Sequence, residues 1–135
     1  MRVVADTNVF ISALNFGGTA EEVLALARAE VIELYVSPSI LNEVEGVLRR
    51  KFQWSRARAR QAIAAIQEFA RLVRPTETVH VITEDEPDNR IECALKAEAG
   101  VIISGDNHLR GLESFRGIGV MTPREFLDAY RRSAR

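Results

Sequence analysis

In MRVVADTNVFISAL, residues 1–14, a short apolar run rich in β-branched valine stops at a carboxylate followed by two small polar residues. The run Arg2 to Ala5 reads as a buried strand. Asp6 has two readings. It is a good N-cap for a helix begun by Val9-Phe10-Ile11. In an open α/β sheet it would also stand beyond the carboxyl end of a strand, where such folds bind ligands. Both stay open until other carboxylates are found, or not found, in equivalent places.

Working outward, helical and strand-like patterns alternate along the chain. A helix near 8–14 ends at Gly17-Gly18, and Thr19-Ala20-Glu21-Glu22 has the form of a capping box for a second helix to about Ala29. A strand over Ile32–Val36 leads to Ser37-Pro38, an N-cap with proline at the first helical position, and a helix to about Lys51. Ser55 can cap a long helix to about Val73, with Ala59, Ala62, Ile63, Ile66, Phe69 and Ala70 in one apolar stripe. A strand at 78–82 precedes an acidic loop. A helix from Pro87 or Asp88 runs to Gly100, and VIIS (101–104) is another buried strand closed by Gly105-Asp106. A short helix, a strand over Ile118–Met121 and a helix opened by Thr122-Pro123-Arg124-Glu125 complete the pattern. This alternation predicts an α/β fold, a central mostly parallel sheet flanked by helices, in one domain over 1–135.

Composition narrows the class. With 47% apolar and 27% charged residues, the chain has the balance of a globular protein. No run reaches the ~18 apolar residues of a transmembrane helix, and no signal-peptide pattern precedes the first strand. One cysteine, Cys93, excludes an internal disulfide or a multi-cysteine metal site. A cytoplasmic location without membrane contact is the resulting expectation. The net charge is −1, but residues 46–75 carry Arg49, Arg50, Lys51, Arg56, Arg58, Arg60, Arg71 and Arg74 against Glu68 alone. Such a segment is either a solvated helical face or a phosphate-binding surface.

Three further carboxylates match Asp6 in place. Asp106 ends the strand VIIS, Asp88 starts the helix leading into that strand, and Glu43 lies two turns into the helix opened by Ser37-Pro38. Strand exits and following helix starts share one edge of a parallel sheet, so the acids can converge. Converging carboxylates repel unless cations neutralise them, and hard ions such as Mg²⁺ or Mn²⁺ favour such oxygens. The matching chemistry is phosphodiester hydrolysis by a metal-activated water. Asn8, Ser104 and Asn107 are placed to hold metal-bound waters or the ligating carboxylates. Each acid also has a plain reading, as a helix cap or a surface residue.

VVADTNVFISAL, SPSILNEVEGVL, EPDNRIECAL, IISGDNHL and MTPREFL, in this order, resemble the blocks of a PIN-domain protein of the VapC-like toxin group. The blocks span essentially the whole chain. The resemblance implies a metal-dependent endoribonuclease with Asp6, Glu43, Asp88 and Asp106 as catalytic, metal-binding acids, using Mg²⁺ or Mn²⁺ on an RNA substrate. It also implies a homodimer and a cognate antitoxin. The chain departs from the family in one place, with one residue fewer between the Asp88-Asn89 pair and Glu92-Cys93. Glu92, four residues after Asp88, is read as a supporting residue on the same helix face.

Other chemistries find little support. His80 and His108 are too few for zinc, and no nucleophile elbow or phosphate-binding glycine loop occurs. Phe52 and Trp54, among the arginines, either pack between helices or stack on bases. The apolar spacing in ALNFGGTAEEVLAL suits core or a dimer face. Two other functions share part of this pattern. A phosphatase of the HAD type also has an Asp after its first strand, but wants a second acid where Asn8 stands. The other is a non-catalytic PIN-like binding module. Arg49, Arg50, Lys51, Arg56, Arg58 and Arg60 are the candidate RNA-binding residues.

Overall fold

The computed structural model describes residues 1–79, 88–106, 109 and 114–133. Its elements are β1 (Arg2–Ala5), α1 (Thr7–Phe16), α2 (Gly18–Arg28), β2 (Glu33–Val36), α3 (Pro38–Lys51), α4 (Arg56–Phe69), β3 (Ala70–Leu72), α5 (Asn89–Ala97), β4 (Val101–Ile103), β5 (Ser114–Phe115), β6 (Ile118–Met121) and α6 (Pro123–Ser133). The strands form one sheet in the order β3-β2-β1-β4-β6-β5. Five of them run parallel, and β5 adds an antiparallel edge through Ser114↔Gly119.

The order decides where a site can form. From β1 the chain first builds outward through β2 and β3, then returns to the other side of β1 with β4 and β6. The crevice at the carboxyl ends of β1 and β4 is therefore the switch point, the ligand-binding place of open α/β sheets. Register fixes its lining. Ala5 pairs with Ile103, and the Asp6 N–H donates to the Ile103 carbonyl at 3.0 Å. One step further, Asp6 and Ser104 leave their strands side by side.

Apolar contact holds this edge still. Val3, Val4, Ala5, Leu34, Ile102 and Ile103 are at most 1% exposed, as strands covered on both faces require. Phe10, Leu24, Ile40, Leu48 and Ile91 close the core from the helices. The apolar spacing after Leu14 serves that core, with Ala20, Val23, Leu24 and Ala27 all buried; Phe16 is left out, 76% exposed.

Several helix signals operate as the sequence predicts. Ser37 accepts from the Ile40 N–H with Pro38 in the first turn of α3, and Ser55 accepts from the Arg58 N–H at the start of α4. Thr122 and Glu125 form the reciprocal box of α6, at 2.9 and 3.1 Å. The Thr19 box does not form. The helix begins two residues earlier than that box requires, with Gly17 at its N-cap, and Glu22, the acid of the box, meets Arg131 at 3.4 Å instead. Gly17 and Gly18, at φ +75° and +64°, let the backbone turn by 104° between α1 and α2, and this fixes the start before Thr19 can cap it.

The helix predicted to reach Val73 ends at Phe69. Ala70–Leu72 becomes a strand because the outer edge of β2 offers it backbone partners, with the Val73 N–H donating to the Val36 carbonyl at 2.9 Å. Helical periodicity continues through Ala70, but the sheet edge overrides it. The strand expected at 78–82 is not formed at residues 78 and 79; the rest of it, and most of the short helix after Asp106, lie outside the described residues. Among the described residues no single helix is long and apolar enough to cross a membrane.

Cys93 sits on α5 beneath this layer, fully buried beside Ser37. Burial pushes its thiol up to about 12, against a smaller opposing effect of the Ser37 hydroxyl. At pH 8 the native protein is expected to leave a thiol reagent such as DTNB unreacted, and one thiol per chain to react after denaturation. Rapid reaction of the folded chain would contradict the packing of α5.

Candidate functional site

Asp6 is built into the sheet before it can act as anything else. Its side chain emerges from the last register step of β1 and is 3% exposed. Oδ1 accepts from the Val9 N–H at 3.1 Å and caps α1. Oδ2 accepts from the Ser104 hydroxyl at 2.5 Å. The two readings of this residue are therefore compatible: one oxygen caps, and the other faces the crevice. Burial raises the Asp6 carboxyl above its ordinary value, opposed by Ser104, by the Val9 N–H and by Arg90.

Ser104 joins two of the acids. While donating to Asp6 it accepts from the backbone N–H of Asp106 at 3.0 Å. Fully buried itself, it locks the exit of β4 against that of β1. Asp88 repeats the division of labour seen at Asp6. Oδ1 accepts from the N–H groups of Arg90 and Ile91, both at 3.0 Å, as the N-cap of α5, and Oδ2 turns to the Arg90 side chain.

Asp6, Asp88 and Asp106 meet at one cation, the Arg90 guanidinium. Nε and Nη2 grip Asp88 at 3.2 and 2.8 Å, in the two-pronged geometry favoured by Arg and carboxylate. Nη1 donates to Asp106 at 2.9 Å and stands 3.5 Å from Asp6 Oδ2, the last being an ion pair rather than a strong hydrogen bond. Desolvation alone would lower the affinity of Arg90 for its proton; Asp88, Asp106 and Asp6 outweigh it and raise that affinity above the usual arginine range. Among the described residues three carboxylates share this one guanidinium.

Glu43 does not join this triad. It is exposed on α3 and accepts from Asn89 Nδ2 at 3.3 Å, while the same amide nitrogen stands 3.2 Å from Ser39 Oγ. Asn89 thus ties the first turn of α5 to α3 and sets Glu43 beside the neighbour of Asp88. Glu92, read as support for Asp88, turns elsewhere: its Oε2 accepts from the Val79 N–H at 2.8 Å, holding the chain that enters the acidic loop. Asn8 is exposed in the first turn of α1. Thr7 Oγ1, next to Asp6, is buried with no hydrogen-bond partner among the described residues. Asn107, His80, His108 and the acidic run 84–87 lie outside the described residues.

Arg90 and Asn89 are the residues that the sequence reading passed over. A signal existed for the first. A cation in the opening turn of a helix opposes the macrodipole and stays there when nearby acids hold it.

A hard divalent cation suits the donor set, since all three converging groups are carboxylates and a cation already occupies their common point. Among the described residues no three acids, histidines or cysteines are spaced to hold one ion. The residues fit the ion in kind, and the Arg90 guanidinium stands at their common point.

The basic segment forms a separate surface at the junction of α3 and α4. Gly46, Arg49, Arg50, Gln53, Trp54, Ser55 and Arg56 line a concavity of about 600 Å³. Arg49, Arg50 and Lys51 end α3, favourably for its dipole, whereas Arg56 and Arg58 open α4 against it. The Arg58 guanidinium covers the Trp54 ring at 3.7 Å, and Trp54 and Phe52 pack partly against the core, so neither ring is a bare platform. Arg60 pairs with Glu45 at 3.6 Å. Arg50 folds back over Gly46, where an added Cβ would stand 2.7 Å from its guanidinium. This brings its charge back toward Glu43, whose Cα lies about 4.5 Å from that of Gly46 along the helix axis.

Comparison with known proteins gives a consistent identification. A family model described as PIN domain matches residues 2–108. The uncharacterized protein MJ1680 of Methanocaldococcus jannaschii is 30% identical over 145 aligned residues, covering 98% of this chain and 93% of that protein. Among solved structures, a chain of VapBC2 from Rickettsia felis, crystallised with a DNA fragment from its promoter, matches with a TM-score of 0.61 at 13% identity. That match covers 90% of this chain and 98% of the other, and it supports the fold. The sheet with its switch point at β1, the acids at that point and the extent of both sequence matches leave the phosphatase reading without support: the chain belongs to the PIN-domain family, whose members are in general metal-using nucleases.

Proposed function

We propose that the chain is a divalent-metal-dependent endoribonuclease and the toxin of a toxin–antitoxin pair. The observation that carries the nuclease reading is the convergence of Asp6, Asp88 and Asp106, from three elements, on one cation at the switch point. The acid pattern and the family support RNA phosphodiester hydrolysis. The fold shared with a VapBC2 chain supports a protein antitoxin as partner.

In this reading Asp6, Asp88 and Asp106 hold Mg²⁺ or Mn²⁺, with Glu43 adjoining them. The bound ion supplies a water of lowered pKa and positive charge facing the phosphate oxygens. The protein contributes the rest. Val9 N–H and Ser104 orient Asp6 so that Oδ2 faces the crevice, and the α5 N-terminus orients Asp88 in the same way. Their low exposure keeps bulk water from screening the charge they present. Asn89 holds Glu43 at the margin of the site. Asn8 and Asn107 are assigned to ordering water there.

Arg49, Arg50, Lys51, Arg56, Arg58 and Arg60 are assigned to the RNA backbone. Phosphate contacts of this kind position a strand without reading its bases. A positive surface on the helix that carries Glu43 offsets the repulsion between RNA and the acids. The homodimer rests on less, because the apolar faces of α1 and α2 are largely buried within the chain. Phe16, exposed and edge-on to Phe52 at 6.3 Å, is the apolar side chain that a second copy would cover.

Asp6→Asn is expected to abolish Mn²⁺-dependent cleavage of RNA while the fold is retained. In a chelating buffer its stability should equal or exceed that of wild type, by up to about 1 kcal/mol, because a buried charge and its repulsion are removed. Undiminished cleavage by the purified variant would exclude the metal-site reading. Replacing Arg56, Arg58 and Arg60 together by Gln is expected to weaken RNA binding and reduce the log–log salt slope by about 2, for three contacts to a single strand. An unaltered slope, with far-UV circular dichroism reporting a native fold, would leave these residues a solvated face. Light scattering at micromolar concentration is expected to give twice the chain mass, and Phe16→Glu to halve it; a wild-type monomer would exclude the dimer.

A further inference from the structure

Arg90 is the residue that the acidic set does not explain. Its side chain is 19% exposed, and every nitrogen of its fork faces a carboxylate: Nε and Nη2 on Asp88, Nη1 on Asp106 and Asp6. Its placement is locally determined. The same Asp88 Oδ1 that caps the Arg90 N–H also accepts from Nε, so the helix start and the side-chain direction fix each other. Such a fork is specific to Arg; an ammonium offers one point of charge.

The oxygens turned to Arg90 are Oδ2 of Asp6, of Asp88 and of Asp106. Those of Asp6 and Asp88 are also the oxygens left over by the caps of α1 and α5, and so the ones these two acids can turn to a metal ion. A divalent ion brought to them meets a fixed positive charge at hydrogen-bond distance from the same atoms. Both cations cannot occupy that point. In the present arrangement the described acids are not spaced to share an ion.

The geometry points to Arg90 as an internal counter-cation that occupies the metal position in the metal-free protein and must withdraw before an ion binds. This inference rests on the metal-site reading of the acids. It has two consequences of opposite sign. Arg90 neutralises the buried acids, so the site holds together without metal. It also lowers the apparent metal affinity by the fraction of time that the guanidinium has withdrawn. The helix need not move for this, because a long, partly exposed side chain leaves by rotation about its own bonds.

Calorimetric titration of Mn²⁺ into wild type, Arg90→Gln and Asp6→Asn, with melting curves in chelator and in saturating Mn²⁺, tests the inference. Arg90→Gln is expected to bind Mn²⁺ about tenfold more tightly than wild type, the effect of a competent state populated one-tenth of the time. It should melt below wild type in chelator yet gain more from Mn²⁺. A residue that merely packs would lower both melting points and leave affinity unchanged. Arg90→Lys, which keeps the charge without the fork, should remain folded if Gln does not, and should bind Mn²⁺ more tightly than wild type. Equal Mn²⁺ affinity in wild type and the folded Arg90 variants, with Asp6→Asn failing to bind, would overturn the role of Arg90 and leave the metal site standing. Absence of Mn²⁺ binding in all of them would overturn both.

Discussion

A carboxylate with almost no access to water stands at the end of the central strand, and much of the surrounding structure answers to it. An ionised Asp6 in that position is costly unless charge or hydrogen bonds compensate it. Compensation comes from three directions: the first turn of α1, the Ser104 hydroxyl beyond β4, and Arg90 from α5. Each donor depends on a different segment being in place. Satisfying one charge therefore aligns the exits of β1 and β4 with the start of α5, and the same alignment gathers the remaining acids. Fold and site share a single electrostatic requirement.

The acids also show why a helix cap and a carboxylate turned to the crevice need not be alternatives. A carboxylate has two oxygens, and a capping interaction uses one of them. At Asp6 and Asp88 the capped oxygen fixes the rotamer and the other is presented to the crevice. Capping removes the rotational freedom that a site residue would otherwise lose on binding. Reading these residues as caps was correct locally and incomplete, because local patterns say nothing of what the second oxygen meets.

Much of the fold was legible for the same local reason. Ser37-Pro38, Ser55 and the Thr122–Glu125 box mark helix starts by chemistry confined to four residues, and the valine and isoleucine runs mark strands covered on both faces. What escaped the sequence depends on distant partners. The stripe through Ala70 reads as helix until the edge of β2 competes for its backbone, and Thr19 reads as a cap until two glycines with positive φ set the start of α2. Arg90 sits in Asp88-Asn89-Arg90, a charged stretch of ordinary appearance; its partners Asp6 and Asp106 lie 84 and 16 residues away. Glu92 shows the converse, since helical spacing placed it near Asp88 while the Val79 backbone claimed its carboxylate.

The parallel pairing of β1 with β4 has a consequence for biosynthesis. Ser104 reaches Asp6 across 98 residues of sequence, and no local hairpin can substitute for that contact. A parallel neighbour must wait for its crossover, so the central strand stays unpaired on one side until β4 has left the ribosome. At ordinary rates of elongation, on the order of 5–20 residues per second, several seconds separate the appearance of Asp6 from that of Asp106. During that interval the nascent chain carries the first acid of the site without the last. The acids can therefore meet only after β4 has followed β1 into the parallel core.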